Sequence, residues 1–375
     1  MKIVADDKIP FLKGVLEPFA DVEYFPGNLI SSFHLKDADA LLVRTRTRCD
    51  QNLLKNSRVR FIGTATIGYD HIDTAWCEEQ GIVWKNAPGC NSSSVNQYMA
   101  SALVNLATRL GFSLSDRVLG VVGVGNVGSK VVRLAEMLEM QVYLCDPPRV
   151  KQEGLCGFIS LDSILRECDI ITFHVPLNLT GEYSTYHMIN RKLLGRVRTG
   201  SVIINTSRGE IADGKALMEG LHDGRLAGLV LDVWENEPNI DLDLMHKCTF
   251  ATPHIAGYST DGKANGTAMI IHELNRFFDL GLDGWETNYL PDPLIPEIRI
   301  DCKGLTHEEV LSRAILQTYN LADDDFLLRK APCAFEQQRG EYAVRREYKA
   351  YTLYLEHADD YIKQTCGKMG FKLYN

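Results

Sequence analysis

The sequence predicts an α/β protein with two domains built on parallel sheets and a smaller α+β tail. Three observations predict it. Apolar runs of strand length alternate with helix-length segments as far as Trp285, the pattern of strands joined by crossover helices. One run leads through a glycine-rich turn, Gly123-Val-Gly125-Asn126-Val127-Gly128, straight into a helical segment. Beyond Trp285 the proline-rich segment NYLPDPLIPEIRID marks a boundary, after which the alternation changes character.

In order, KIVAD, ADALLVR, RFIGTAT and GIVWKNAP read as strands spaced by helical segments. Val95, Tyr98, Met99, Ala102, Leu103 and Leu106 then recur at helical spacing from Ser92 to about Leu110. RVLGVVGVGNVGSKVVRLAEMLEMQVYLCD is strand, turn, helix and strand. DIITFHVP, GSVIINTS, GLVLDVW and CTFATPHI follow as buried strands, and a long helix runs from about Thr260 to Leu280, closed by Gly281 and Gly284. In the tail the proline-rich segment runs into a strand. Thr306 and Glu309 make a capping box that opens LTHEEVLSRAILQTYN. A second helix follows ADDDF, and the tyrosine-rich YKAYTLYLEHADDYI is expected to be a third.

At 375 residues the chain exceeds one ordinary core. Its 40 Lys and Arg against 49 Asp and Glu give a net charge of -9, which argues against a nucleic-acid or membrane-surface partner. The N-terminus MKIVADDKIPFLKG carries charges where a signal peptide has its apolar stretch. No apolar run reaches the roughly 18 residues of a membrane span. Ten cysteines are scattered without a CxxC pair, a usage that suits reduced thiols in the cytoplasm rather than disulfides or a metal site.

The glycine turn carries the first functional signal. Gly123 permits a tight turn, Gly125 lets the backbone approach a pyrophosphate, and Gly128 lets the helix pack on the strand. Asn126 and Val127 complete the same cofactor-binding turn, and the helix N-terminus offers free N–H groups to phosphates. The next strand ends in Asp146, 18 residues past Gly128, placed to accept two ribose hydroxyls and to repel a 2′-phosphate. NAD is therefore expected over NADP, with Arg149 the one nearby residue that would suit NADP.

Further segments carry chemistry. NTSRGE holds Arg208, LDVWENEP holds Asp232 and Glu237, and TPHIAGY holds His254, each just past a buried run where open α/β sheets bind ligands. GTATIGYDHID, residues 63 to 73, is a glycine-rich segment after another strand. Oxidation of a 2-hydroxy acid needs these residue types: a histidine to take the hydroxyl proton, a carboxylate to orient it, and a guanidinium to grip the substrate carboxylate. His71, His174 and His246 are read as structural.

These motifs resemble the signatures of the NAD-dependent D-2-hydroxyacid dehydrogenases over roughly residues 1 to 285. The resemblance implies Arg208, Glu237 and His254 as catalytic residues. It places Asp146, Val175, Thr206, Ser207, Asp232 and Gly257 beside NAD, and Thr45, Thr66 and Tyr258 on the substrate. It implies a Rossmann-type doubly wound NAD domain (94–256) inserted in a flavodoxin-like split substrate-binding lid (1–93 and 257–285). A C-terminal α+β dimerisation domain (286–375) would complete a homodimer. The tail and details such as APGCN are similar to one branch of the family, whose substrate is a phosphorylated small 2-hydroxy acid. Phosphoglycerate or hydroxypyruvate chemistry, or a non-catalytic NAD-sensing role, are the alternatives. After Ser94-Val95 the family commonly has a small residue and Glu, where this chain has Asn96-Gln97.

A substrate with a carboxylate and a phosphate needs two anion sites. Arg208 suits the first. LLVRTRTRC, residues 41 to 49, supplies Arg44, Arg46 and Arg48 at alternate positions, which share a face if the backbone stays extended. Arg44 and Arg46 are therefore expected on the phosphate. Arg345 and Arg346, in the tail, either reach the partner subunit's site or lie on a solvated helix face.

Overall fold

The computed structural model describes every residue except Leu155, Asn288 and Asn375; Asn288, the first residue of the proline-rich segment, thus lies outside the described residues. The chain packs as two compact units, Met1–Asn91 with Ser259–Pro291 and Ser92–Tyr258 with Asp292–Asn375.

The first unit is built on strands β1 (Lys2–Asp6), β2 (Asp21–Phe25), β3 (Ala40–Val43), β4 (Phe61–Thr64) and β5 (Val83–Lys85), all parallel in the order β2-β1-β3-β4-β5. That is the flavodoxin-like doubly wound order. One face buries Val4, Leu41, Val43 and Ile62; the other buries Ile3, Ala5, Leu42 and Phe61. Covered on both sides, these strands read as continuous apolar runs. β2 was not among the expected strands. It is an edge strand whose sequence, DVEYF, mixes charges among half-exposed residues, so it lacks the buried-strand pattern. The helix Thr260–Phe278 returns to this unit and adds Ile270, Ile271 and Leu274 to its core. A Cβ on Gly266 would fall 2.8 Å from the Ala65 carbonyl oxygen, so glycine lets this helix approach the end of β4.

Extended backbone does not continue through the arginines. β3 stops at Val43 and the chain turns at Thr45-Arg46. Thr47 is buried and donates to the Gly27 carbonyl (2.8 Å), while Arg48 points into solvent beside Asp50. The three arginines therefore do not line one strand face. A side-chain to backbone hydrogen bond to a segment 20 residues away takes the place of continued extension here.

The second unit is built on β6 (Val118–Val122), β7 (Gln141–Cys145), β8 (Ile170–Phe173), β9 (Ser201–Asn205), β10 (Leu226–Leu231) and β11 (Phe250–Ala251), parallel in the order β11-β10-β9-β8-β6-β7. Phe158 adds a one-residue parallel bridge to Leu144 outside β7, the place of the outermost strand in a Rossmann order. The order reverses between β6 and β8, where such sheets bind nucleotides. One face carries Leu119, Val121, Ile204 and Val230 against the helix Ser92–Leu110. The same core continues without a break into the tail through Val310, Leu311, Ala314, Leu353 and Cys366.

The tail has its own parallel sheet, β12 (Glu297–Asp301), β13 (Thr352–Glu356) and β14 (Lys372–Tyr374), in that order. Its capping box is present: Glu309 accepts from the Thr306 N–H (2.7 Å), and the Thr306 hydroxyl accepts from the Glu309 N–H (3.2 Å). The helix expected over YKAYTLYLEHADDYI is instead the central strand, with a helix only from Asp360. Tyr351, Leu353 and Leu355 turn inward at alternate positions. On the other face, Arg299 lies over Tyr354 (3.9 Å) and Tyr354 stacks on Tyr374 (4.6 Å) across paired strands. Cross-strand aromatic pairs and period-two burial outweigh helical spacing. Among the described residues no helix is long and apolar enough to cross a membrane.

Candidate active site

At the reversal of the second sheet, β6 ends in the glycine turn. Gly123 sits at φ +86°, and a Cβ there would fall 2.6 Å from the His174 carbonyl oxygen and 2.8 Å from Val175 Cγ1. Val175 thus lies against the turn. A Cβ on Gly128 would fall 2.0 Å from the Gly123 carbonyl oxygen, so only glycine lets the helix Gly128–Met137 start this close to the strand. Gly125 faces open space, leaving Asn126, Val127 and the backbone around them a cradle for a pyrophosphate.

Asp146 closes that cradle. One oxygen accepts from the Val124 N–H (2.8 Å) and the other from the Arg149 N–H (3.2 Å). The Arg149 guanidinium is committed to Glu153 by a two-bond fork (2.9 and 2.8 Å) and to the Val124 carbonyl (2.6 Å). A guanidinium held this way is not offered to a 2′-phosphate, so the residues present fit NAD. Burial pushes the His174 imidazole down to about 3, so it is neutral. Its Nε2 meets the Thr172 hydroxyl (3.0 Å) and its Nδ1 faces the Thr206 hydroxyl (3.4 Å). The Ser207 hydroxyl donates to the Phe173 carbonyl (2.6 Å), knitting Thr206 and Ser207 to the end of β8.

The motifs of Arg208, Asp232–Glu237 and His254 leave the ends of three neighbouring strands, β9, β10 and β11. Asn205 ties the first two: its side chain donates to the Arg208 carbonyl (2.9 Å), and its own carbonyl accepts from the Asp232 N–H (3.1 Å). A Cβ on Gly209 would fall 2.0 Å from the Trp234 backbone, so glycine lets the Arg208 segment lie on the Trp234 segment. The Arg208 guanidinium donates to the Ser207 carbonyl (2.8 Å).

His254 sits at φ +56°, a left-handed conformation unusual for a side-chain-bearing residue. Its Nδ1 lies 2.7 Å from a Glu237 oxygen, whose other oxygen accepts from the Trp234 N–H (2.9 Å). Burial opposes ionisation of Glu237, but the hydrogen bonds from His254 and Trp234 and the charge of Arg339 outweigh it and hold the carboxyl below its usual range. Because a carboxylate only accepts, Nδ1 carries a proton, and in the neutral ring the lone pair is therefore on Nε2.

Asp232 ties down the segment that follows His254. Its buried carboxylate accepts from the Thr252 hydroxyl (2.7 Å) and from the Ile255 and Ala256 N–H groups (2.8 Å each). Three of about four acceptor positions are filled, and they hold the segment after His254, which includes Gly257. Burial still pushes the Asp232 carboxyl above its usual range, against the His254 charge and these bonds. Tyr258 ends the segment, its N–H on the Ile255 carbonyl (2.9 Å).

Within the first unit, Arg44, Thr45 and Arg46 follow β3, and Thr66 follows β4. The Arg44 guanidinium donates to the Lys8 carbonyl (3.3 Å), just past β1, so it lies where the order of that sheet reverses. Thr66 donates to the Gly68 carbonyl (2.9 Å).

Residues 91–256 match the family model described as D-isomer specific 2-hydroxyacid dehydrogenase, NAD binding domain, and residues 289–366 match a domain of unknown function. The erythronate-4-phosphate dehydrogenase of Bacteroides fragilis is 49% identical over 354 residues, 94% of this chain and 99% of the relative. The chain belongs to the erythronate-4-phosphate dehydrogenase family. The enzyme of that name from Escherichia fergusonii is 39% identical over 99% of this chain and 98% of its own. The D-lactate dehydrogenase of Aquifex aeolicus, solved with NAD and lactic acid, superposes with a TM-score of 0.60 at 26% identity, covering 77% of this chain and all of that one. The protein is an NAD-dependent 2-hydroxyacid dehydrogenase.

In this erythronate-4-phosphate dehydrogenase relative the tail reaches the histidine segment, which sequence reasoning missed. Arg345 and Arg346 are buried within the chain, not on a solvated helix face. Arg345 donates to the Ile255 (3.3 Å), Ser94 (3.1 Å) and Ala256 carbonyls. Gln97, at the departure from the family pattern, donates to the Arg346 carbonyl (2.9 Å) and the Thr318 hydroxyl (3.2 Å), so that departure falls on the seam with the tail. Arg339 lies over the Tyr258 ring (5.7 Å). A contact 90 residues apart in sequence leaves no local signal to find.

Proposed function

We propose that this enzyme oxidises C2 of 4-phospho-D-erythronate to (R)-3-hydroxy-2-oxo-4-phosphooxybutanoate in pyridoxal 5′-phosphate (vitamin B6) biosynthesis. The observation that carries the chemistry is the 2.7 Å contact between His254 Nδ1 and Glu237. It leaves Nε2 as the base, in one tautomer. His254 takes the proton of the C2 hydroxyl at Nε2, and Glu237 stabilises the imidazolium that results. Arg208 grips the substrate carboxylate through paired hydrogen bonds. Bound NAD would supply the hydride acceptor for C2, and loss of one hydride and one proton turns the alcohol into a ketone. Gly123, Gly125, Asn126, Val127, Gly128 and Asp146 would hold its pyrophosphate and ribose, and Val175, Thr206, Ser207, Asp232 and Gly257 would border its nicotinamide end.

Thr45, Thr66 and Tyr258 contact the substrate, and Arg44 with Arg46 takes its phosphate. The position of Arg44 at the reversal of its sheet supports this better than strand alternation, because ligands bind at such crevices. Functionally we divide the chain into a lid (1–93 and 257–285), an NAD domain (94–256) and a C-terminal dimerisation domain (286–375) of a homodimer. Exposed Phe326, Leu327 and Val344 in that last segment support an apolar contact. A cytoplasmic location accords with ten free cysteines.

The test is NADH formation with 4-phospho-D-erythronate and 3-phosphoglycerate side by side, each with NAD and NADP. Turnover of the erythronate with NAD is expected. Preference for phosphoglycerate would overturn the substrate while leaving the chemistry, and NAD binding without turnover of either would overturn both.

A further inference from the structure

The segment His254–Tyr258 is gripped from two sides. Asp232 accepts the N–H groups of Ile255 and Ala256. Arg345 donates to the carbonyls of the same two residues, and its third bond goes to the Ser94 carbonyl in the first turn of the helix Ser92–Leu110. A guanidinium fork can span three carbonyls from two segments; the point charge of lysine cannot. At the far end of the segment Tyr258 packs edge-on against Tyr342 (5.9 Å) and under Arg339 (5.7 Å).

We propose that the C-terminal segment acts in catalysis within its own chain, with Arg345 the positioning residue that locks the backbone after His254 and so keeps the imidazole on Glu237. The proposal rests on the reading of His254 as the base. A histidine held at φ +56° needs the backbone that follows it restrained, and Asp232 alone holds only the N–H groups of Ile255 and Ala256.

The setting of Arg345 fits that task. A buried cation is costly, and apolar packing often serves stability as well or better, so one kept here answers to geometry. Its charge is balanced locally: the guanidinium lies over the Tyr319 ring (4.4 Å), and Asp324, which accepts from the Tyr319 and Tyr342 hydroxyls (2.8 and 2.7 Å), faces it electrostatically. Ser94 and Glu347 add a bond between helix and tail (3.1 Å). The tail is therefore wired to the histidine segment.

The experiment is steady-state kinetics of full-length Arg345→Met, Arg345→Lys and Arg345→Ala, with melting temperatures, NADH affinity and pH profiles, and His254→Gln alongside. A misplacement near 1 Å costs about a hundredfold. Arg345→Met is expected to lower kcat by about 30- to 100-fold with NADH affinity within about twofold of wild type, and to displace the acid limb of the kcat/KM profile. Arg345→Lys should remain at least about tenfold down, and millimolar guanidinium should restore turnover to Arg345→Ala. Wild-type kcat and pH profile with only a lowered melting temperature would overturn the proposal. If these variants do not fold, Asp324→Asn keeps Arg345 but removes the carboxylate facing it; the same displacement of the pH profile is expected, and an unchanged profile overturns the idea. Full activity of His254→Gln would sink the reading beneath the proposal. An inactive His254→Gln with a fully active Arg345→Met would sink the proposal alone.

Discussion

The segments Arg44–Arg48 and His254–Tyr258 both leave the carboxyl end of a parallel strand, yet they are held very differently. In the first, Thr47 anchors the turn through one buried bond to Gly27 while Thr45 and Arg46 stand exposed. In the second, Asp232, Glu237 and Arg345 between them fix a side chain, two N–H groups and two carbonyls. The contrast follows from the work proposed for each. A long-range charge can draw in a phosphate from an exposed arm. Proton transfer demands an imidazole placed to a fraction of an ångström, and placement of that kind is bought with buried hydrogen bonds.

The largest effect that tests this contrast is expected at Glu237. Glu237→Gln replaces an acceptor by an amide that can stabilise the wrong imidazole tautomer, and kcat should fall by about 10³-fold or more with little change in the KM for NAD. Activity near wild type would erase the distinction between the two segments. Asp232→Asn comes next. Its NH₂ group would face backbone N–H groups now satisfied, leaving a buried donor unpaired at a cost of about 1–3 kcal/mol. Turnover should fall by about 10- to 100-fold and the melting temperature with it, both measurable on one preparation.

The double variant Arg44→Ala/Arg46→Ala should instead raise the KM for the phosphorylated substrate by about tenfold, from loss of exposed charge-assisted bonds, with kcat nearly unchanged. The effect should weaken in high salt, as screening predicts. A fall in kcat with constant KM would show that this loop also needs placement. The smallest effect is on stability against pH. Because Glu237 is held below its ordinary value of 4.5, its ionised form stabilises the fold above that range, and this contribution is lost as pH falls through the depressed value. Melting curves of wild type and Glu237→Gln should therefore run parallel between about pH 7 and 5.5 and converge in more acid solution.

Much of the fold was legible because it rests on local chemistry. Gly123 is demanded by the positive φ of its own turn and Gly128 by the Gly123 carbonyl beside it, and the Thr306–Glu309 box closes within one turn. Strands buried on both faces announce themselves as apolar runs. The edge strand DVEYF and the central tail strand TLYLE escaped notice for the same reason in reverse: their neighbours in the sheet, not their composition, decide their state. The arginines after β3 were expected on a continuing strand, but one threonine hydroxyl finding a distant carbonyl was enough to turn the chain.

By itself, then, the sequence determined the reaction class and the nucleotide, since the glycine turn, Asp146, Arg208, Glu237 and His254 lie in short motifs whose spacing fits one chemistry. Only the tertiary structure decided how those residues are held. Asp232 reaches across 23 and 24 residues to Ile255 and Ala256, and Arg345 across 90 and 89 to the same pair. Periodicity and capping report bonds made within a turn or a strand. A hydrogen bond between distant segments exists only once the core shared by the nucleotide sheet and the tail has brought them together.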